Sequence, residues 1–289
     1  MYIDTYTRDG MEKSICDIFQ LHPLELREKL IMIDRAASDD DDFIVRLDSF
    51  IIENAVNYPD EILLFHLSCR LHGTEDDVEG RNLAALLLTE NPLSSLLKRA
   101  KIEFRQGEQH IEVYYKGQIV DWDECMRGNS AYMKVRLGYY KGREDYCFNG
   151  FAFKDLLYKN SYARELYGMP EFLGQLTECL QCKALDKYYM ENSTYYCYEY
   201  KLPLSMVMFD DHDTYSDSLK QKYLISCVLQ RLYQYQTSNP RYMFDHDNPI
   251  LRLPDDYTIP SNYYVGREMI TLDMLSKENT PRRRNQIQR

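Results

Sequence analysis

The sequence predicts an α+β protein, on three observations. Apolar residues recur at helical spacing in both its N-terminal and C-terminal parts. Its centre carries short aromatic and apolar runs of strand length, one of them folded about a Lys-Gly turn. No strand, Gly-rich turn and helix alternate anywhere, which argues against a Rossmann sheet or a P-loop.

Taken in order, residues 10–58 read as helical. Pro23 suits the first turn of a helix running to Ala37, and the acidic run from Ser38 to Asp42 supplies an N-cap and negative charge for a second helix. Pro59-Asp60 marks a boundary, after which 62–67 has strand length. Two short helices follow, over 82–90 and 92–100. Residues 110–120 alternate about Lys116-Gly117 as a hairpin would. Residues 146–153 read as an aromatic strand, 154–190 as helix broken at Gly168-Met-Pro170, and 195–202 as a strand ended by Pro203. A strand over 204–209 and a long helix over 216–235 complete the centre. The proline-bearing stretch 238–266 reads as irregular and the basic tail as disordered. The expected organisation is a helical N-terminal region (1–58), a central α+β domain (59–237) that would hold any catalytic site, and an irregular C-terminal arm and tail (238–289). No repeat of 20–50 residues is present, which argues against a solenoid.

Composition bounds the function. With 44% hydrophobic and 28% charged residues the chain is rich enough in apolar groups to fold. Lys and Arg number 35 against 46 Asp and Glu, a net charge of −11, which argues against a general nucleic-acid binder, since phosphate contacts need clustered cations. The longest apolar run, 83–88, is far too short to span a membrane, and the first residues lack a signal-peptide pattern. Eight cysteines scattered among apolar neighbours then read as reduced thiols of a cytoplasmic protein. Cys179 and Cys182 form the one C-x-x-C, without the second pair or histidines a zinc site needs, so structural thiols are the simpler reading. Asp210-Asp211-His212-Asp213 and Asp245-His246-Asp247 could bracket a divalent metal, but read as solvated loops, and no metal is expected. A Cys/His protease built from Cys69 or Cys147 with His66 or His110 has no local support.

The odd count is 26 Tyr against 11 Phe and 1 Trp. Tyrosine clusters between 114 and 200, where it either replaces Phe on half-buried sheets or lines a cleft that stacks on a planar ligand.

Three segments carry chemistry in order, two of them in that region. Phe65-His66-Leu67-Ser68 is a His-x-Ser on a strand; Gly150 to Asp155 precedes Ser161-Tyr162; Glu199 sits in a late strand. The set resembles the ADP-ribosyltransferase fold of the poly(ADP-ribose) polymerase and diphtheria-toxin type. The resemblance implies that His66 bonds the ribose hydroxyls of NAD and Ser68 holds the nicotinamide amide. Phe153 or Tyr162 would stack on the nicotinamide ring, with Ser161 beside them, and Glu199 would stabilise the oxocarbenium-like transition state. Ala152 stands where the family has its first aromatic residue. The implied activity is NAD-dependent modification of a macromolecular acceptor, protein or nucleic acid, in bacterial or phage conflict. The alternative is a non-enzymatic acidic protein that occupies a basic surface of a partner.

Overall fold

Helix starts are where local sequence acts first. The computed structural model describes residues 1–142, 145–155, 157–159, 161–210, 212–237 and 248–277. Thr7 caps α1 (Arg8–Phe19). In α2 (Pro23–Ala36), Pro23 stands in the first turn, the His22 ring accepts from the Leu24 N–H and Glu25 accepts from the His22 N–H. The acidic run opens α3 (Asp40–Asn54): Asp39 accepts the Asp42 N–H at 2.8 Å, and Asp42 pairs with Arg46 at 3.0 Å. These acids therefore serve a helix terminus.

β1 (Glu61–Leu71) follows, then α4 (Leu83–Leu88) and α5 (Pro92–Arg99), the latter capped by Asn91. β2 (Ile102–Gln106), β3 (Ile111–Tyr115) and β4 (Gln118–Ile119) form a small antiparallel sheet. Its second turn is Lys116-Gly117, both at positive φ (52° and 82°), as a two-residue hairpin turn requires. α6 (Ser130–Arg136) leads to β5 (Asn149–Phe151), α7 (Ser161–Glu165), α8 (Glu171–Cys179) and α9 (Lys183–Glu191). Then come β6 (Ser193–Pro203), β7 (Met208–Phe209), α10 (Asp217–Gln236), β8 (Ile250–Arg252), β9 (Tyr264–Met269) and α11 (Leu272–Lys277).

The architecture is the expected α+β. A six-stranded antiparallel sheet, ordered β7-β8-β5-β1-β6-β9, separates two apolar cores. One face, with Ile62, Leu64, Tyr198, Tyr200 and Leu202, is buried against α1, α2, α3 and α10. The other, with Leu63, Phe65, Leu67 and Cys197, meets the small sheet and α4–α9. Side chains alternate across a strand, so a residue's parity along β1 or β6 decides which core it enters.

Two expectations about organisation need correction. Residues 250–252 and 264–269, read as an irregular arm, are strands β8 and β9 on either side of the sheet. Pro249, Pro254 and Pro260 keep these strands short, so no long alternation announces them; pairing with β5 and β6 defines them instead. The N-terminal helices share a core with α10 and the sheet rather than forming a separate unit. The expected disordered tail, Asp245-His246-Asp247 and Asp211 of the other acidic cluster lie outside the described residues.

Several buried tyrosines tie neighbouring segments to the sheet. The Tyr198 hydroxyl donates to the Glu75 carbonyl at 2.8 Å and Tyr200 to that of Val78 at 3.2 Å. Tyr195 donates to Ala163 at 3.0 Å and Tyr189 to Cys69 at 2.8 Å. Each buries its ring and satisfies a backbone carbonyl of a neighbouring segment.

Candidate functional site

β1 is paired unequally on its two edges. β6 matches it from Glu61 to Leu71, whereas β5 meets it only at Phe65 opposite Phe151. Beside the second half of β1, on the β5 side, lies a cavity of about 470 Å³. Leu83 and Leu87 of α4, Leu97 of α5 and Phe172 and Leu173 of α8 supply apolar lining. His66, Ser68 and Arg70, alternate residues on the Leu64 face of β1, supply a polar row, while Leu67, Cys69 and Leu71 line it from the opposite face, so the cavity reaches both sides of the strand. This volume lies in the range of small-molecule sites.

The polar row has a defined electrostatic state. His66 Nδ1 lies 2.7 Å from the Asn149 carbonyl and its ring packs on Phe148 at 4.1 Å. Burial, reinforced by the positive charge of Arg70, pushes the imidazole down to about 4. His66 is therefore neutral at physiological pH; the carbonyl selects the tautomer protonated at Nδ1, leaving Nε2 as an acceptor. Arg70 extends back along the strand until its guanidinium lies 4.8 Å from the ring centre of Tyr198, the residue paired with His66.

Carboxylates neutralise the other guanidiniums of the cavity. Arg81 is held by Asp77 and Glu79, Arg136 by Asp145, and Arg252 by Asp145 and Asp210. Arg70 has no carboxylate partner among the described residues, and its Nε is buried without a hydrogen bond. Sequence reasoning passed over Arg70. The signal available was its place two residues beyond Ser68, hence on the same strand face.

Of the residues expected to bind NAD, His66, Ser68 and Tyr162 line this cavity. The others lie elsewhere. Phe153 is buried in the core beneath Arg231 of α10, whose guanidinium is 5.9 Å from its ring centre, and it cannot stack on a ligand at His66. Ser161 is exposed at the start of α7 and does not line the cavity. Glu199 faces away from His66. Phe65 pairs with Glu199 and His66 with Tyr198, so imidazole and carboxylate stand on opposite faces of the sheet.

Glu199 has its own partners. It accepts from the Tyr6 hydroxyl at 2.8 Å and pairs with Lys154, which also reaches Glu268 at 3.0 Å; Tyr158 donates to Glu268 at 2.6 Å. Burial pushes the Lys154 ammonium down, but the two carboxylates outweigh it and raise it overall. Burial and the adjacent carboxylate push Tyr6 up strongly. This is a satisfied charge cluster outside the cavity.

The cavity thiols are not activated. Cys69 donates to the Leu166 carbonyl at 3.4 Å, and Cys147 accepts from Arg252 Nε at 3.3 Å; burial raises each to about 11. His110, the other base considered, stacks on Tyr139. Asp145, Cys147 and Asp255 could bring three ligand atoms within 4.8 Å of one another. Arg136 and Arg252 already hold Asp145, Arg252 also donates to Cys147, and Asp255 accepts the Tyr146 N–H, so these donors are engaged without a metal. Comparison with family models, curated proteins and solved structures returned no match to the chain.

Proposed function

We propose that the protein binds a small organic anion with an apolar body in the cavity beside β1, and that Arg70 meets its anionic group. The observation that carries this reading is a half-buried guanidinium without a carboxylate partner among the described residues, in a cavity that also presents leucine and phenylalanine side chains. A partly buried cation lacking a counterion is costly, and an incoming carboxylate or sulfonate offsets that cost while its apolar body covers the leucines. Ser68 offers a hydroxyl beside Arg70, and His66 offers an acceptor for a hydroxyl or N–H on the ligand.

ADP-ribosyl transfer requires His66 and Glu199 to act on one NAD molecule, and their opposed faces weigh against it. The acidic-partner reading rests on net charge, and in the acidic run before α3 Asp39 caps the helix and Asp42 pairs with Arg46.

Octanoate and octanol are suitable probes because they differ mainly in the anionic head. Octanoate at tenfold its Kd is expected to raise Tm by roughly 3–5 °C, and octanol much less. Arg70→Met is expected to weaken octanoate about tenfold or more while leaving octanol unchanged. Equal shifts with both compounds, or an octanoate shift that survives the substitution, would overturn the proposal. NAD belongs in the same assay: nicotinamide release that Glu199→Gln abolishes would support ADP-ribosyl transfer instead.

A further inference from the structure

The direction of each peptide group along β1 follows from the bonds just beyond its ends. The His72 N–H donates to the Asn192 carbonyl, and the Leu204 N–H donates to the Asp60 carbonyl. The register with β6 runs unbroken between them, so the even-numbered residues of β1 turn their N–H and C=O towards β6. Phe65, Leu67, Cys69 and Leu71 turn theirs to the other edge. There Phe65 meets Phe151 of β5. One further step of that ladder would set Leu67 opposite Asn149, but the Asn149 carbonyl meets His66 Nδ1 at 2.7 Å and the ladder ends.

Beyond that point the N–H groups of Leu67 and Cys69 have no acceptor among the described residues. Both residues are buried, at 7% and 5% exposure, and both line the cavity. The neighbouring carbonyls are better served. That of Cys69 accepts from the Tyr189 hydroxyl at 2.8 Å, and that of Leu71 from Thr74 Oγ1 at 2.7 Å. This edge therefore offers hydrogen-bond donors to whatever occupies the cavity, and buried N–H groups without an acceptor are rare in folded proteins.

We propose that the ligand carries a carbonyl oxygen between its anionic head and its apolar body, and that the main-chain edge at Leu67 and Cys69 donates to it. This rests on the reading that Arg70 meets the anionic head. The order of groups follows from the strand. Arg70 stands on the Leu64 face of β1, Leu87 and Leu97 belong to the core on the opposite face, and the bare edge lies between them. A molecule that touches both faces passes the edge, and its carbonyl satisfies a donor there. Oxo acids and N-acyl amino acids share this arrangement of carboxylate, carbonyl and apolar chain.

The test compares two acids of equal chain length, 4-oxoundecanoate and undecanoate, by titration calorimetry on the full chain. A site that reads only head and tail prefers undecanoate, the more apolar of the two. The expected result is the reverse, with 4-oxoundecanoate tighter by about fivefold or more. With leucine and cysteine labelled with nitrogen-15, the Leu67 or Cys69 amide signal should move downfield with 4-oxoundecanoate and not with undecanoate. Loss of the signal in Leu67→Met or Cys69→Ser assigns it. N-Octanoylglycine places an amide carbonyl at the same position: tighter binding than 4-oxoundecanoate selects acyl amino acids, and weaker binding selects oxo acids. Undecanoate binding as tightly as 4-oxoundecanoate, with both weakened in Arg70→Met, would overturn the carbonyl contact and leave the anion reading standing. Affinities that Arg70→Met leaves unchanged would overturn both. A preference for 4-oxoundecanoate with neither amide moving would overturn the assignment to this edge.

Discussion

Glu199 and His66 show how one unit of register decides what a residue can do. Both stand on strands that the sequence marks clearly, and both are polar in apolar surroundings. Their faces depend on pairing between segments about 130 residues apart, which local pattern does not specify. A slip of one residue would have put them together; the observed register gives Glu199 to Lys154 and Tyr6. Glu199→Ala is therefore expected to cost about 2–3 kcal/mol in urea unfolding, because Lys154 loses a buried partner, and Glu268→Ala less, since that side chain is 41% exposed. An unchanged stability for Glu199→Ala would show that the cluster is not structural. His66 makes a different prediction. Its folded value near 4 lies below its ordinary 6.5, so between those values the unfolded chain binds the proton first. The resulting stabilisation is intact above about pH 6.5 and lost as pH falls towards 4. Urea midpoints at pH 7 and pH 5 should differ more for the native protein than for His66→Gln; equal differences would assign the titration to other groups.

At the scale of elements, legibility followed length and capping. α2, α3 and α10 carry their own start signals, and 110–120 carries its own turn, so each was readable in place. β1 and β6 were readable as strands, though each extends beyond its apolar centre because long pairing holds the polar ends. β2 gave little signal, and neither did β8 and β9, whose burial pattern exists only once neighbours are present. Arg70 was missed for a related reason: an arginine at a strand end reads as solvated, and only the folded chain sets it over Tyr198 beside the cavity. The two late strands support a sharp expectation. A chain ending at Thr237 loses β8 and β9, and with them the buried Leu251, Leu253, Ile259 and Ile270. It should show no cooperative melting and should aggregate through the uncovered edges of β5 and β6. A truncated chain that melts cooperatively near the native temperature would restore the arm as a separate region.

Across the whole molecule, helices from the first 60 residues, a sheet assembled from distant segments and a second core of short elements meet on one framework. The pairings of the main sheet join residues far apart in sequence, so folding is expected to be slow for the chain's size. The central position of β1 has a consequence for the protein's synthesis. Its long partner β6 emerges about 130 residues later, and β8 and β9 later still. At ordinary translation rates, Ile62, Leu63 and Leu64 wait on the order of ten seconds for the strand that pairs with them. During that interval the nascent chain presents a bare hydrophobic ribbon at the ribosome exit, a natural client for a holding chaperone, and the cavity beside β1 stays incomplete until Ile250 and Arg252 are made.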